Sequence, residues 1–244
     1  MSLSSTSLFH FTKSYDIVVK ILESGLWPRF CIERDWGDKD LAIPMVCACD
    51  IPLSEIGLHQ KKYGKYGIGL KKGWAKKNGF TPVLYFSDKS NMFQKLNDFA
   101  SDHLRQPLIM PLSKLDEEYL LYYAKRSVGT DADREYLGMK LKPKFMNEHE
   151  WRYVPLDKSG IHMWFTDKGR GKDLDLNKLS KATENYKIPL KPDAVQYIFL
   201  ETENERYNMI KEIERIFPLN EVGEKTLRIL QSRIITKEQI SNDF

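Results

Sequence analysis

Cysteine is scarce: the chain of 244 residues holds three, Cys31, Cys47 and Cys49, an odd number. A chain this long buries enough surface to fold without cross-links, so a disulfide framework is excluded and reduced thiols are expected. No apolar run approaches the roughly 20 residues of a membrane span. The first residues also lack the basic, apolar and small-residue sections of a signal peptide, so no membrane association is expected and the expected compartment is the cytoplasm. A Walker loop, a G-x-S-x-G nucleophile elbow and an HExxH helix are all missing, which removes the commonest nucleotide-hydrolysis, serine-hydrolase and zinc-protease designs. Cys47-x-Cys49 has no second pair at zinc-finger spacing, so the two read as packing on one strand face and no metal site is expected. The chain shows no internal repeat.

What is present fits a globular protein: 41% of residues are apolar, and 12 Phe, 12 Tyr and 5 Trp are spread along the chain. The net charge of +4 is small but unevenly placed, since Lys61 to Lys77 ("KKYGKYGIGLKKGWAKK") holds seven lysines and no acid. Tyr63, Tyr66 and Trp74 interrupt that run. Such a stretch is either a solvated face or a contact for phosphates of a nucleotide or nucleic acid, with Lys61, Lys62, Lys65, Lys71 and Lys72 as the basic patch.

Periodicity places the elements. Residues 8–12 predict a strand with Leu8, His10 and Thr12 on one face and Phe9 and Phe11 on the other. A helix capped by Ser14 follows, with Ile17, Val18, Ile21 and Leu22 as its apolar stripe, Gly25 as its stop and Leu26 closing the turn. Strands are predicted at 43–49, 81–86 and 194–200, and "EWRYVP" is extended. One helix carries Met92, Phe93, Leu96, Phe99 and His103, and a second starts at Ser113. Residues 127–144 read as a polar loop, and 167–173 ("DKGRGKD") as another. Thr202 and Glu205 form a capping box for a helix that Pro218 ends, and one more helix follows residue 223. Strands mixed irregularly with helices argue for α+β rather than a doubly wound sheet.

Three pieces stand out as chemistry. They are His10-x-Thr12, the aromatic and Gly-rich "YGKYGIGL" at 63–70, and "NEHEWRY" at 147–153, where alternation puts Glu148 and Glu150 on one strand face. Two adjacent carboxylates raise at least one pKa unless Lys140, Lys144 or Arg152 neutralises them. Taken singly, each piece also has a plain packing explanation.

The segments "LFHFT…ILESGLWPR", "IPMVCACDIPLSEI" and "YGKYGIGLKKGWAKKNGFTPVLY" resemble the AbiGi family of bacterial abortive phage infection proteins over residues 8–86, with a further piece at "EWRYVP". The resemblance implies the antitoxin half of a toxin–antitoxin pair, with a cognate toxin as partner; residues 157–244 carry no motif that attaches to it. The order His-x-Thr, Tyr-Gly, Glu is more distantly similar to ADP-ribosyltransferase folds such as poly(ADP-ribose) polymerases and DarT-like toxins. That similarity implies NAD as substrate. His10 and Thr12 would hold its ribose and amide ends, and Tyr66, or the competing Tyr63, would stack on nicotinamide. Glu150 would hold a ribose hydroxyl, and Glu148 would activate the acceptor. Cleaving the nicotinamide bond builds positive charge on ribose, which a fixed carboxylate stabilises. The expected architecture is thus one α+β domain over 1–244, with 1–156 carrying the motifs and 157–244 completing it. Its sheet is expected to be a split, mixed sheet of ADP-ribosyltransferase-like type with flanking helices. The expected function is an anti-phage antitoxin that binds a toxin. The alternative is an NAD-dependent ADP-ribosyltransferase modifying protein or nucleic acid, and a third reading is direct nucleic-acid binding through the lysines.

Overall fold

The structure, a computed structural model, describes residues 5–36, 39–103, 119–136, 138–155 and 164–243. In chain order it runs β1 (Ser7–Thr12), α1 (Tyr15–Ser24), β2 (Arg29–Trp36), β3 (Lys39–Cys49), α2 (Ile56–Tyr63), β4 (Tyr66–Lys71), α3 (Lys72–Lys77), β5 (Thr81–Pro82), β6 (Leu84–Phe86) and α4 (Asn91–His103). It continues with α5 (Tyr119–Tyr123), β7 (Ala124–Arg126), α6 (Asp131–Tyr136), β8 (Glu150–Tyr153), β9 (Trp164–Asp167), α7 (Leu176–Ser180) and β10 (Val195–Leu200). The last elements are α8 (Asn204–Ile216), α9 (Leu219–Val222), α10 (Glu224–Gln231), β11 (Ile234–Thr236) and α11 (Lys237–Asp243). The class is α+β, as the sequence predicts, and the strands are mostly antiparallel. The chain divides into two compact units, one of Met1–Leu26, Cys47–Phe80 and Lys187–Phe244, the other of Trp27–Val46 and Thr81–Tyr186. Neither unit has a boundary at 156.

In the first unit β4 is the central strand, antiparallel to β1 on one side and to β10 on the other, and β11 adds in parallel beside β10. The register sets Phe9 opposite Gly69 and Phe11 opposite Gly67, while Tyr197 and Phe199 of β10 meet the same two glycines. Cross-strand partners share a face. The glycines therefore leave a trough that the rings of both flanking strands fill: Phe9 and Phe199 meet edge-on at 5.5 Å, and Phe9 and Tyr197 lie 6.0 Å apart. A Cβ on Gly69 would come within 2.9 Å of Tyr197 and 3.0 Å of Phe9. Cys49, Ile51 and Ile56 complete this buried cluster. The opposite face is aliphatic, with Leu8, Ile68, Leu70 and Ile198 buried. There α1 packs on β4 and α8 and buries Val18, Ile21 and Leu22. Ile17 was expected in that stripe but stays exposed, so the apolar face is one residue narrower.

The predicted helix ends are only partly made as expected. Ser14 holds the N-cap position without a capping side-chain bond, and Thr12 Oγ1 accepts the Ser14 N–H instead. Gly25, at φ 89°, ends α1 with its N–H on Ile21 O at 2.9 Å, and Leu26 then pairs its backbone with Ile188. At α8, the Glu205 carboxylate accepts the N–H groups of Glu201 and Thr202 at 3.1 and 3.0 Å, which is the acidic half of the predicted box.

In the second unit β3 pairs antiparallel with β2 and with β9. Residues 81–86 do not form one strand: Thr81–Pro82 pair with β8, Leu84–Phe86 run parallel to β7, and the buried Val83 between them donates its N–H to Glu150 O. The helix expected to carry Met92, Phe93, Leu96, Phe99 and His103 is α4, with Phe93, Leu96 and Ala100 buried and Met92 exposed. The start expected at Ser113 lies outside the described residues; among the described ones, Tyr119–Tyr123 form α5. The segment read as a loop at 127–144 contains α6, nucleated by a capping box the sequence reading missed. Thr130 Oγ1 accepts the Asp133 N–H at 3.2 Å, and Asp133 Oδ2 accepts the Thr130 N–H at 2.8 Å. The loop at 167–173 is held by buried Asp40, whose Oδ2 accepts the N–H groups of Gly169 and Gly171 at 3.0 and 3.2 Å. Among the described residues no helix is long and apolar enough to cross a membrane.

Candidate functional site

His10, Thr12 and Tyr66 come together on the aliphatic face of the first unit's sheet. His10 and Thr12 alternate along β1, and Tyr66 pairs directly with Thr12. Each has a polar group engaged within the unit. His10 Nδ1 donates to Cys47 O at 2.7 Å, and burial, only partly offset by that bond, lowers its pKa, so the imidazole is neutral at pH 7. Thr12 Oγ1 donates to Ser14 O at 3.2 Å. The Tyr66 hydroxyl donates to Glu205 Oε1 at 2.7 Å, the carboxylate that caps α8. Burial and that bond push the Tyr66 phenol well above its usual pKa. Tyr63 joins the other face, where its ring stacks on His59, which stacks in turn on Phe11.

Glu148 and Glu150 belong to the second unit. They do not share a strand face as alternation predicted: Glu148 ends a 3-10 turn (Phe145–Glu148), His149 turns left-handed at φ 44°, and only Glu150 enters β8. They meet through Lys125, whose Nζ lies 3.3 Å from Glu148 Oε2 and 2.7 Å from Glu150 Oε2. Arg152, 0% exposed, donates its Nε to Glu150 Oε1 at 2.7 Å, Nη1 to Tyr122 O at 2.9 Å and Nη2 to Glu33. The Glu150 N–H donates to the Tyr85 hydroxyl at 2.9 Å. Burial pushes the Glu150 carboxyl upward, but the charges of Arg152 and Lys125 and the hydrogen bonds from both outweigh it and hold its pKa well below the usual carboxylate range. Lys125 is raised despite its burial, because Glu150, Glu33 and Glu148 surround it. The sequence anticipated Arg152 as a neutralising partner; the other cation is Lys125 rather than Lys140 or Lys144, and the expected rise in a carboxylate pKa does not occur at Glu150.

A group whose folded pKa is depressed contributes stability that is complete above its unfolded value and is lost as pH falls toward the folded one. For Glu150 that loss begins near its ordinary 4.5. The urea midpoint is therefore expected to fall between pH 6 and pH 3.5, and Glu150→Gln is expected to flatten that fall. An equal slope in both proteins would show that the cluster is not the acid-sensitive element.

The lysine run is divided by β4, which spans roughly 17 Å. Lys62 and Lys65 lie at its start, whereas Lys71 and Lys72 lie at its end; the Lys61 side chain lies outside the described residues. Lys72 binds Asp50 and reaches Ser5 O, which ties the start of β1 to the end of β3. Lys65 binds Glu201. At the start of β4 an open groove of about 840 Å³ is lined by Lys13, Gln60, Lys62, Tyr63, Lys65 and Lys237, among others. Lys13 and Lys237 were not singled out from sequence, because each is an isolated lysine whose neighbours come from distant segments. Among the described residues no group of three or more His, Cys, Asp or Glu side chains could hold a metal ion.

A family model described as "Putative abortive phage resistance protein AbiGi, antitoxin" matches residues 27–201, well over half of the chain. The chain belongs to the AbiGi family. A curated relative, the abortive phage resistance protein AbiGi of Lactococcus lactis subsp. cremoris, is 27% identical over 235 residues, covering 84% of this chain and 90% of that protein. No solved structure matches the chain. The AbiGi match contains the whole ion cluster from Glu33 to Arg152 and all of β4, while His10, Thr12 and Glu205 lie outside it.

Proposed function

We propose that this AbiGi chain is the antitoxin of an abortive phage-infection pair and acts by binding its toxin. The observation that carries the reading is a group of exposed apolar side chains on residues 127–146 of the second unit. Two stretches there lie side by side, joined by Gly129 N–H to Pro143 O at 2.8 Å and Met146 N–H to Ser127 O at 3.1 Å. Val128, Met139, Leu141 and Met146 project from them into solvent, Leu141 at 78% exposure. Clustered exposed apolar residues mark interaction surfaces more often than isolated ones do. The exposed Lys140, Lys142 and Lys144 alternate with them, which suits a protein surface of acidic rim.

The engagement of the carboxylates supports the same reading over the transferase alternative. A carboxylate stabilises developing positive charge best when its own charge is uncompensated. Glu150 is already neutralised by Arg152 and Lys125, and Glu148 shares Lys125.

The test is co-expression with the genetically linked partner. Leu141→Asp with Met146→Asp is expected to leave the melting temperature unchanged and to cut recovery of the partner at least tenfold, about 1.4 kcal/mol of binding. Undiminished co-purification, or toxicity of the chain expressed alone, would defeat the antitoxin reading. Heat on mixing with NAD that disappears in Glu150→Gln would favour the transferase.

A further inference from the structure

We infer that the basic groove of the first unit is a nucleotide-binding site, with phosphates on its lysines and a base against Tyr63. Four lysines line it from four places in the chain: Lys13 after β1, Lys62 in the last turn of α2, Lys65 in the turn into β4 and Lys237 at the start of α11. Among the described lining residues Glu55 carries the one carboxylate, and Glu201 pairs with Lys65 from outside the lining. A groove bounded by lysines from separate segments concentrates positive potential, and lysine serves phosphate as a point charge. A groove of about 840 Å³ is also of a size that takes a nucleotide.

The aromatic wall supplies the second half of the recognition. Tyr63 stacks on His59 with centroids 6.4 Å apart and planes at 30°, and His59 on Phe11 at 6.4 Å and 27°. The Lys62 ammonium sits 4.9 Å from the Tyr63 ring centre. A braced ring in a groove lined by lysines is the pairing that holds a base and its phosphates. Gly64 fixes the step from Tyr63 to Lys65, since its φ of 134° and the closeness of Thr12 O admit no side chain. The lysines at the far end of β4 take no part, and Lys72 is already bound to Asp50. The ligand is a free nucleotide or a nucleotide within a single strand, which share this chemistry, and the inference does not depend on the antitoxin reading.

The full chain would be titrated at low salt with ATP by calorimetry and with a fluorescein-labelled single-stranded RNA of 12 nucleotides by anisotropy. Binding of ATP with no tighter binding of the RNA identifies a free nucleotide; tight RNA binding that ATP displaces only at high excess identifies a strand. In either case Lys13→Glu with Lys237→Glu is expected to weaken binding at least tenfold. Lys20→Glu with Lys77→Glu, in the same unit but outside the groove, is expected to change it less than twofold. Tyr63→Leu is expected to weaken binding at least threefold without altering its salt dependence. The inference is overturned if neither probe binds, or if both lysine pairs lose affinity alike, which is the mark of diffuse charge. Retained toxin co-purification in the Lys13 and Lys237 variant would separate this site from the protein-binding surface.

Discussion

Arg152→Ala is expected to destabilise the second unit by about 3–5 kcal/mol, the range for removing one partner from a buried ion pair. Arg152 is fully buried and joins Glu150, Glu33 and the Tyr122 carbonyl. Without it, the three carboxylates Glu33, Glu148 and Glu150 are left with Lys125 as the cation that the cluster retains. The penalty comes from those desolvated charges rather than from the lost attraction. Arg152→Met combined with Glu150→Gln removes one charge of each sign and is expected to recover a large part of the loss. Urea unfolding at pH 7 measures both, and a loss below about 1 kcal/mol in Arg152→Ala would show that the cluster contributes little. The experiment also bears on function. If Glu150 is a structural ion, phage protection by Arg152 and Glu150 variants follows the amount of folded protein, whereas a catalytic Glu150 would lose protection at full folding.

Gly64→Ala is expected to be nearly as damaging, at about 3 kcal/mol or more. Two effects add. At φ 134° an L side chain is strained whatever the space, and a Cβ there would lie 2.0 Å from Thr12 O and 2.4 Å from its carbonyl carbon. Both are backbone atoms of β1, so relief requires β1 and β4 to separate where Thr12 pairs with Tyr66. Gly73→Ala supplies the contrast. Gly73 lies in α3 with nothing within 4 Å of its Cβ position, so that change is expected to stabilise by about 0.5–1 kcal/mol. Thermal melts of the two variants should therefore move in opposite directions, and a small shift for Gly64→Ala would mean that the turn is free to rearrange.

Local rules carried most of the elements. The strands at 8–12 and 194–200, the helices at α1, α4 and α8 and the α+β class follow from periodicity and stop signals, because these depend on neighbours three or four residues apart. The breakdowns occur where partners are distant. Nothing in "TPVLYF" tells that its two ends serve different sheets; Val83 divides them only because its N–H finds Glu150 O. The glycines of "YGIGL" read from sequence as part of a piece of chemistry, and become a trough for Phe9, Phe199 and Tyr197 once β1 and β10 flank them. Arg152 was legible as a partner for Glu150 because positions two apart on a strand share a face. Lys125 and Glu33 carried no such mark.

Composition and pattern by themselves therefore determined the α+β class, the strongly periodic strands and helices and the kinship with AbiGi, since these are written in short-range order. Tertiary structure decided which partner each charge meets. The lysine run splits along β4 into an Asp50-bound end and a groove-lining end, and the glutamates of "NEHEWRY" become a neutralised core. The physical reason is range: a charge acts on whatever the fold brings within a few ångströms, and sequence distance does not limit what that is.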